Sequence, residues 1–330
     1  MKIRTLAPFL IILTILFSSC HTDKKKPLLP APTGKPGEVL IVLDEYLIKS
    51  DIADFFRKLM GRAFEAIPQY EPIYDPVFVP TDGFSKLFKS HRNIITIKIS
   101  EDYTGSKIIV QRDVWARYQV LVNVAGNSKA AVLSSLEENG EKLLDLLDQS
   151  ERTRAVENYK RNKAKGVDSR LRQEHHISLS VPASFSFGVD TSNFVWLAHE
   201  YADLIQGILI YYYDYTDPNT FTSDYLIRKP NEFTRQYVPG PFKNSYMVVE
   251  DQYPVLMREM ARDSTYVIEL RGLWKLENGF MGGPFLSLTS LDEKRNRVVT
   301  VEGFVHAPGL DKRNYVRELE AILYTFTITD

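Results

Sequence analysis

The sequence predicts an α+β protein of two domains, each a mainly antiparallel sheet packed with helices. Three observations carry that expectation. With 330 residues, 44% of them hydrophobic, the chain can bury more core than one domain usually holds. Short strand-like apolar runs recur in both halves and dominate the second, which one amphipathic helix closes. Between the halves, residues 151–172 (ERTRAVENYKRNKAKGVDSRLR) hold eight basic and three acidic side chains and few apolar ones. A stretch of that composition has little to bury, and it places the domain boundary near residue 170.

The first element is a targeting segment. Lys2 and Arg4 precede the apolar run LAPFLIILTILF, then come Ser18, Ser19 and the single cysteine, Cys20. Basic, then apolar, then small is the order of an export signal, and the run falls short of the ~20 apolar residues that span a bilayer. A cysteine directly after the small pair predicts a bacterial lipoprotein, with residues 1–19 removed and Cys20 carrying the lipid. Phe17 stands where the lipobox usually has leucine, with Leu16 one place back. The competing reading is an ordinary secretory signal with an incidental cysteine, which would place a lone thiol in that window roughly one time in twenty. Each buried acyl methylene adds ~0.8 kcal/mol of membrane affinity. Residues 20–37 then form a tether, in which four prolines and two glycines forbid helix and Lys24 to Lys26 keep the chain solvated or touch anionic headgroups. Extended, it reaches up to ~50 Å.

An N-terminal domain is expected over 38–170. Its strands are GEVLIVLDEY, RNIITIKIS and YQVLVNVAG. A helix over 51–66 has Asp51 as N-cap and an apolar stripe of Ile52, Phe55, Phe56, Leu59 and Phe64. A long helix follows Asn127 or Ser128, burying Leu133, Leu136, Leu143, Leu144 and Leu147; the basic segment continues it as an exposed helix and then a linker ending near Gly166. A sandwich-like antiparallel domain is expected over 171–330, opening with HHISLSVP as a strand. GILIYYYDY, apolar on both parities, is its central strand; further runs lie at 246–250, 265–276, 284–290 and 297–306. The helix DKRNYVRELEAILYTF packs through Tyr315, Leu319, Ile322 and Leu323.

Composition excludes several function classes. With 41 basic against 42 acidic residues the chain is no dedicated nucleic-acid binder. With its one thiol given to lipid it has no disulfides and no cysteine-based catalysis or zinc–thiolate site. No metal or cofactor is expected: His175 and His176 at a strand start point to opposite faces, HEYAD lacks the second zincin histidine, and DYTDPNTFTSD does not set its acids at calcium-loop positions. No nucleophile elbow, P-loop or dinucleotide fingerprint occurs. No catalytic residues are assigned.

The most distinctive stretch is ELRGLWKLENGFMGGPFLSLTS, over 269–290. Two readings stand. It is a tight hairpin whose Phe280 and Phe285 fill the core, or an exposed lip where glycines let a partner approach Arg271, Trp274, Phe280 and Met281. Tyr237 and Tyr246, either side of a Pro-Gly-Pro loop, are expected nearby. The rival function is a hydrolase of envelope polymers using Glu250, Asp251 or Glu269, which requires two carboxyls converging at ~5–10 Å.

The segments TGKPGEVLIV, DVWARYQVLV, VPGPFKNSYM, ELRGLWKLENGFMGGPF and RNYVRELEAILYTF together resemble an uncharacterised family of Bacteroidetes envelope lipoproteins, over nearly all of the mature chain. The resemblance implies a lipoprotein from an organism with an outer membrane and supplies no catalytic residues. The second domain is also similar in pattern to PsbP/Mog1-like α/β sandwiches, an analogy of fold alone. The expectation is a non-catalytic binding or assembly module, held to the bilayer by acylated Cys20 and facing an envelope protein or glycan. His21 in place of the aspartate that retains lipoproteins at the inner membrane, and the lack of an acidic surface-export cluster, point to the outer membrane, periplasmic side.

Overall fold

Strand β1 (Glu38–Leu43) is apolar on both parities and buried almost throughout, so it takes a place inside a sheet. The computed structural model to which it belongs describes residues 28–262 and 265–330; Cys20, the signal segment and the start of the tether lie outside them. The later part of the tether is docked. Thr33 donates to the Ser90 carbonyl (2.9 Å) and accepts from the Arg92 amide (3.0 Å). Gly34, at φ +89°, lies against the His91 ring, where a Cβ would come within 2.2 Å of Nε2.

Helix α1 (Asp51–Met60) follows, then β2 (Asp75–Pro80), β3 (Asn93–Ile99), β4 (Ser106–Arg112) and β5 (Val120–Gly126). Asp51 is the first helical residue and not the cap, and Gly61 ends the helix before Phe64, so the expected 51–66 span is too long. The sheet order is β2-β1-β3-β5-β4. The two-domain α+β class holds, and antiparallel pairing predominates over the whole chain. The N-terminal sheet departs from that rule: three of its four pairings are parallel and only β4 runs against its neighbour. Crossovers such as α1 return the chain to the starting edge, which makes the next strand parallel.

Helix α2 (Lys129–Arg161) is 33 residues long, about 50 Å. The Ser128 hydroxyl caps it by accepting from the Ala131 amide. Leu136, Leu143, Leu144 and Leu147 pack on the sheet. The chain breaks at 162–164, and α3 (Lys165–His175) begins. Val167 and Leu171 join the C-terminal core, so the residues just before 170 pack with the second domain. The paired histidines sit at the end of α3, His176 in the left-handed region, and not at a strand start.

The rest of the chain runs β6 (Ile177–Ser178), β7 (Ser186–Asp190), β8 (Phe194–Tyr201), β9 (Leu204–Asp214), α4 (Ser223–Tyr237), β10 (Tyr246–Val249), β11 (Leu256–Arg262), β12 (Thr265–Glu277), β13 (Gly282–Asp292), β14 (Arg297–His306), α5 (Arg313–Leu323) and β15 (Thr327–Ile328). An antiparallel sheet of order β10-β12-β13-β14-β9-β8-β7, with β11 also on β12, has helices on both faces. Leu319, Ile322 and Leu323 of α5 meet Val299, Val301 and Val305 on one face. Leu226 and Phe233 of α4 meet Phe194, Leu209 and Tyr211 on the other. The domains touch through α2 and α5. Glu71 of the first domain caps α5 of the second, accepting from the amides of Lys312 (2.6 Å) and Arg313 (2.8 Å). These amides have no intrahelical acceptor, and a carboxylate at a helix N-terminus also meets the positive end of its dipole.

Candidate functional site

Where α2 runs past α5 and strands β11 and β12, the two domains enclose a cleft of about 990 Å³. Its walls owe their character to residues that break an apolar pattern. Within the buried span of β12, Val267–Trp274, Glu269 and Arg271 are the only charged residues, and they share the face toward α5. Arg271 Nε lies 2.8 Å from Glu269 Oε1, and its Nη2 reaches both Glu269 Oε2 and Glu320 Oε2 at 3.1 Å. The Tyr324 hydroxyl donates to Glu269 Oε2 at 2.8 Å. From α2, Arg152 bonds Glu320 and lies 3.9 Å over the Tyr324 ring. Arg317 of α5 answers Asp148 of α2 at 3.0 Å, while the Tyr74 hydroxyl donates to the same Asp148 oxygen at 2.6 Å.

These contacts sort the carboxyl groups. Burial pushes the Glu320 pKa upward, but Arg271 and Arg152 outweigh it and bring it down to about 2. Glu269 is likewise lowered, with burial overruled by Arg271 and by the Tyr324 hydroxyl. Burial dominates at Asp148 and raises its pKa despite Arg317 and Tyr74. It also raises Glu318, against the hydrogen bond from Gln206.

The residues singled out in the sequence fall into separate places. Arg271 is buried in the cleft wall. Trp274, on the opposite face of β12, is 4% exposed; its Nε1 donates to the Val305 carbonyl at 3.2 Å and its ring meets Phe304 edge-on. The partner-facing reading of these two is therefore corrected: both are interior groups. The glycines beside them serve that packing, since a Cβ at Gly283 would lie 1.9 Å from the Val305 oxygen. Met281 is half-buried. Phe280, expected in the core by one reading, is 98% exposed at the β12–β13 turn and meets Phe242 edge-on. Tyr237 stacks on Phe194 and donates to Asn193, and Tyr246 lies beneath Arg235. Glu250 and Asp251 flank Lys275 outside the cleft, so only Glu269 of the three proposed acids lines it.

The basic segment 151–161 is the end of α2, and part of it is interior. Arg154 is buried, donating to Asn93 Oδ1 (2.7 Å) and Ser150 (2.9 Å) and paired with Glu151. Sequence reasoning missed the cleft because its walls come from both domains; the adjacent Glu269 and Arg271 within an apolar strand were the available signal. Glu174, His175 and Asp190 bring ligand atoms within 4.8 Å of one another, but Arg170 Nε lies 2.5 Å from Asp190 Oδ2 and opposes a cation there. Among the described residues no helix is long and apolar enough to cross a membrane.

Fold and cleft define a two-domain α+β protein with a charged interdomain site. Two domains of unknown function match it: DUF8532 over residues 32–160 and DUF4837 over residues 164–325. No curated protein matches the chain. Similar solved structures include the Ran-binding protein Mog1p of Saccharomyces cerevisiae, at 11% identity, 47% of this chain, 91% of that one and a TM-score of 0.32. A mutant of the protein Mog1 is similar at 10% identity over 47% of this chain and 92% of that one, also with a TM-score of 0.32. At that score the likeness carries no argument.

Proposed function

We propose that this chain is a lipid-anchored, non-catalytic binding module of the bacterial envelope, tethered through acylated Cys20 to the outer membrane and facing the periplasm, and that its interdomain cleft receives the ligand. The observation that carries the reading is the cleft itself, about 990 Å³ and built jointly by both domains. Ligand sites concentrate at such interfaces. The ligand is a small molecule or a segment of an envelope protein or glycan. The resemblance to Bacteroidetes lipoproteins and the order Lys2, Arg4, apolar run, Ser18, Ser19, Cys20 support the anchor.

A hydrolase is the second reading, favoured by one observation: Asp148 with a raised pKa and Glu320 with a lowered one line the same cleft, and acid–base pairs are often split this way. Both groups, however, are bonded to arginines across the domain interface, which makes them parts of a clamp.

Two experiments test the proposal. Cys20→Ser should release the protein from the detergent phase and remove the lipid mass from its N-terminus; unchanged partitioning sinks the anchor. Native mass spectrometry of protein purified from its own envelope should show a bound species that is lost in Ala155→Trp, which fills the cleft wall. The same adducts in both proteins would refute the cleft as the binding site.

A further inference from the structure

We infer that the ligand of the interdomain cleft carries carboxylate or phosphate oxyanions, read by arginine side chains of α2 and its neighbours; this rests on the reading of the cleft as a binding site. Four buried N–H groups on its walls have no acceptor in the protein: Nε of Arg92, Arg152 and Arg154, and Nη1 of Arg317. The mismatch has one sign. Among the described residues, no residue lining the cleft holds a buried side-chain acceptor without a partner. A buried donor left unmatched is costly, and most so when charged, so the cleft is short of acceptors and of nothing else.

Guanidinium groups match carboxylate and phosphate because two parallel N–H groups meet two oxygens. Here the forks are oriented before any ligand arrives. Arg92 bonds Glu151 at 2.8 Å, Arg154 bonds Glu151 and Asn93, Arg152 bonds Glu320, and Arg317 bonds Asp148. Arg154 spends both Nη atoms on the protein. Arg92, Arg152 and Arg317 each use one nitrogen in their pair and keep a second, Nη2, Nη1 and Nε respectively, that among the described residues is neither bonded nor enclosed and stands open to a guest. Eight arginines balance eight carboxyl groups on the walls, and burial, by raising the pKa of Asp148 and Glu318, weakens the negative side of that balance. A volume of about 990 Å³ exceeds a single phosphate or carboxylate group, so the oxyanions belong to a larger molecule. That chemistry has two sources, a free organic acid or an acidic lipid headgroup.

The test uses the full chain in neutral detergent and isothermal titration with citrate, inorganic pyrophosphate, phosphatidylglycerol micelles and the neutral disaccharide trehalose. Citrate or pyrophosphate is expected to bind saturably. Arg152→Lys and Arg92→Lys, which keep the charge and lose Nε–H and the fork, should each weaken binding at least tenfold with melting temperatures near that of the parent. Arginine-dependent binding of the micelles alone would support the inference and assign the source to lipid. Binding of trehalose alone, with the same dependence, would overturn it while leaving the cleft a binding site. Anion binding indifferent to both substitutions, or no binding by any acidic probe, overturns it as well; the Ala155→Trp mass comparison then judges the cleft separately.

Discussion

Replacing Glu302 by glutamine should make the protein more stable at neutral pH and leave it almost unchanged in acid. Glu302 sits on β14 under α4, 1% exposed, and among the described residues no cation faces it. Its carboxyl accepts from the Tyr211 hydroxyl at 3.0 Å; Ser287 and Leu209 stand opposite it on the neighbouring strands, and the same face carries the Thr289–Thr300 hydroxyl pair and aromatic rings. Burial lifts its pKa from 4.5 to about 7, with the Tyr211 bond offsetting only part of the rise. The sign follows from which state holds the proton. Below pH 4.5 the carboxyl is protonated in folded and unfolded chains alike and costs nothing. Between 4.5 and about 7 the unfolded chain sheds a proton that the folded one keeps, so stability falls as pH rises. Above that window the loss is complete, on the order of 3 kcal/mol at ~1.4 kcal/mol per unit. Glutamine keeps an acceptor for Tyr211 and never ionises. Thermal unfolding of Glu302→Gln and the parent from pH 4 to pH 8 should therefore diverge with rising pH, by roughly 6–12 °C at the alkaline end at ~2–4 °C per kcal/mol. Other titrating groups cancel in the difference. A constant offset across the range would refute the reasoning.

Trp274→Ala should cost roughly 3–5 kcal/mol in denaturant unfolding, as expected for a buried indole, whereas Phe280→Ala should stay within ~0.5 kcal/mol. Equal effects of the two would contradict their opposite burial. Glu71→Ala removes the acceptor for two amides at the start of α5 and should cost about 1–2 kcal/mol; an unchanged urea midpoint would show that Glu71 is not the cap. Arg271→Leu leaves Glu269 and Glu320 close together without their shared cation, a loss of roughly 3–5 kcal/mol. That loss should shrink as the pH is lowered and the two carboxyls protonate, and a pH-independent loss would mean that packing rather than charge holds Arg271 there.

The sheet elements were legible where local pattern decides them. The run at 297–306 is strand β14, and the stripe of Leu319, Ile322 and Leu323 is the buried side of α5. The parallel N-terminal sheet was less so, because direction depends on where a crossover returns the chain and not on the strand's own residues. Even so, EVLIVL, apolar on both parities, is what a strand covered on both faces looks like. Helix α4 was hidden by Pro230 in its interior, a residue that removes a backbone donor and clashes with the preceding turn, yet Leu226 and Phe233 bury the helix regardless.

The cleft shows a more general reason for illegibility. Composition records the charges of a segment and not the location of their opposites. Residues 151–161 read as a solvated face because their basic groups outnumber their acidic ones locally. In the folded chain Arg152 meets Glu320 of α5, and Arg154 turns inward to Asn93 and Glu151. A helix whose charges are matched across an interface has the same composition as one bathed in water. What separates the two is a complementary defect elsewhere: a strand whose buried span, Val267–Trp274, is uncharged apart from Glu269 and Arg271. Burying two such groups in a sheet is tolerable only if the element packed above supplies their partners. Glu320 and Tyr324 do so, and Arg152 answers Glu320 in turn, which ties the polar end of α2 to the charged step in β12. A charge pair in an apolar strand is thus the place from which to look for a distant polar helix, and here the two meet at the cleft.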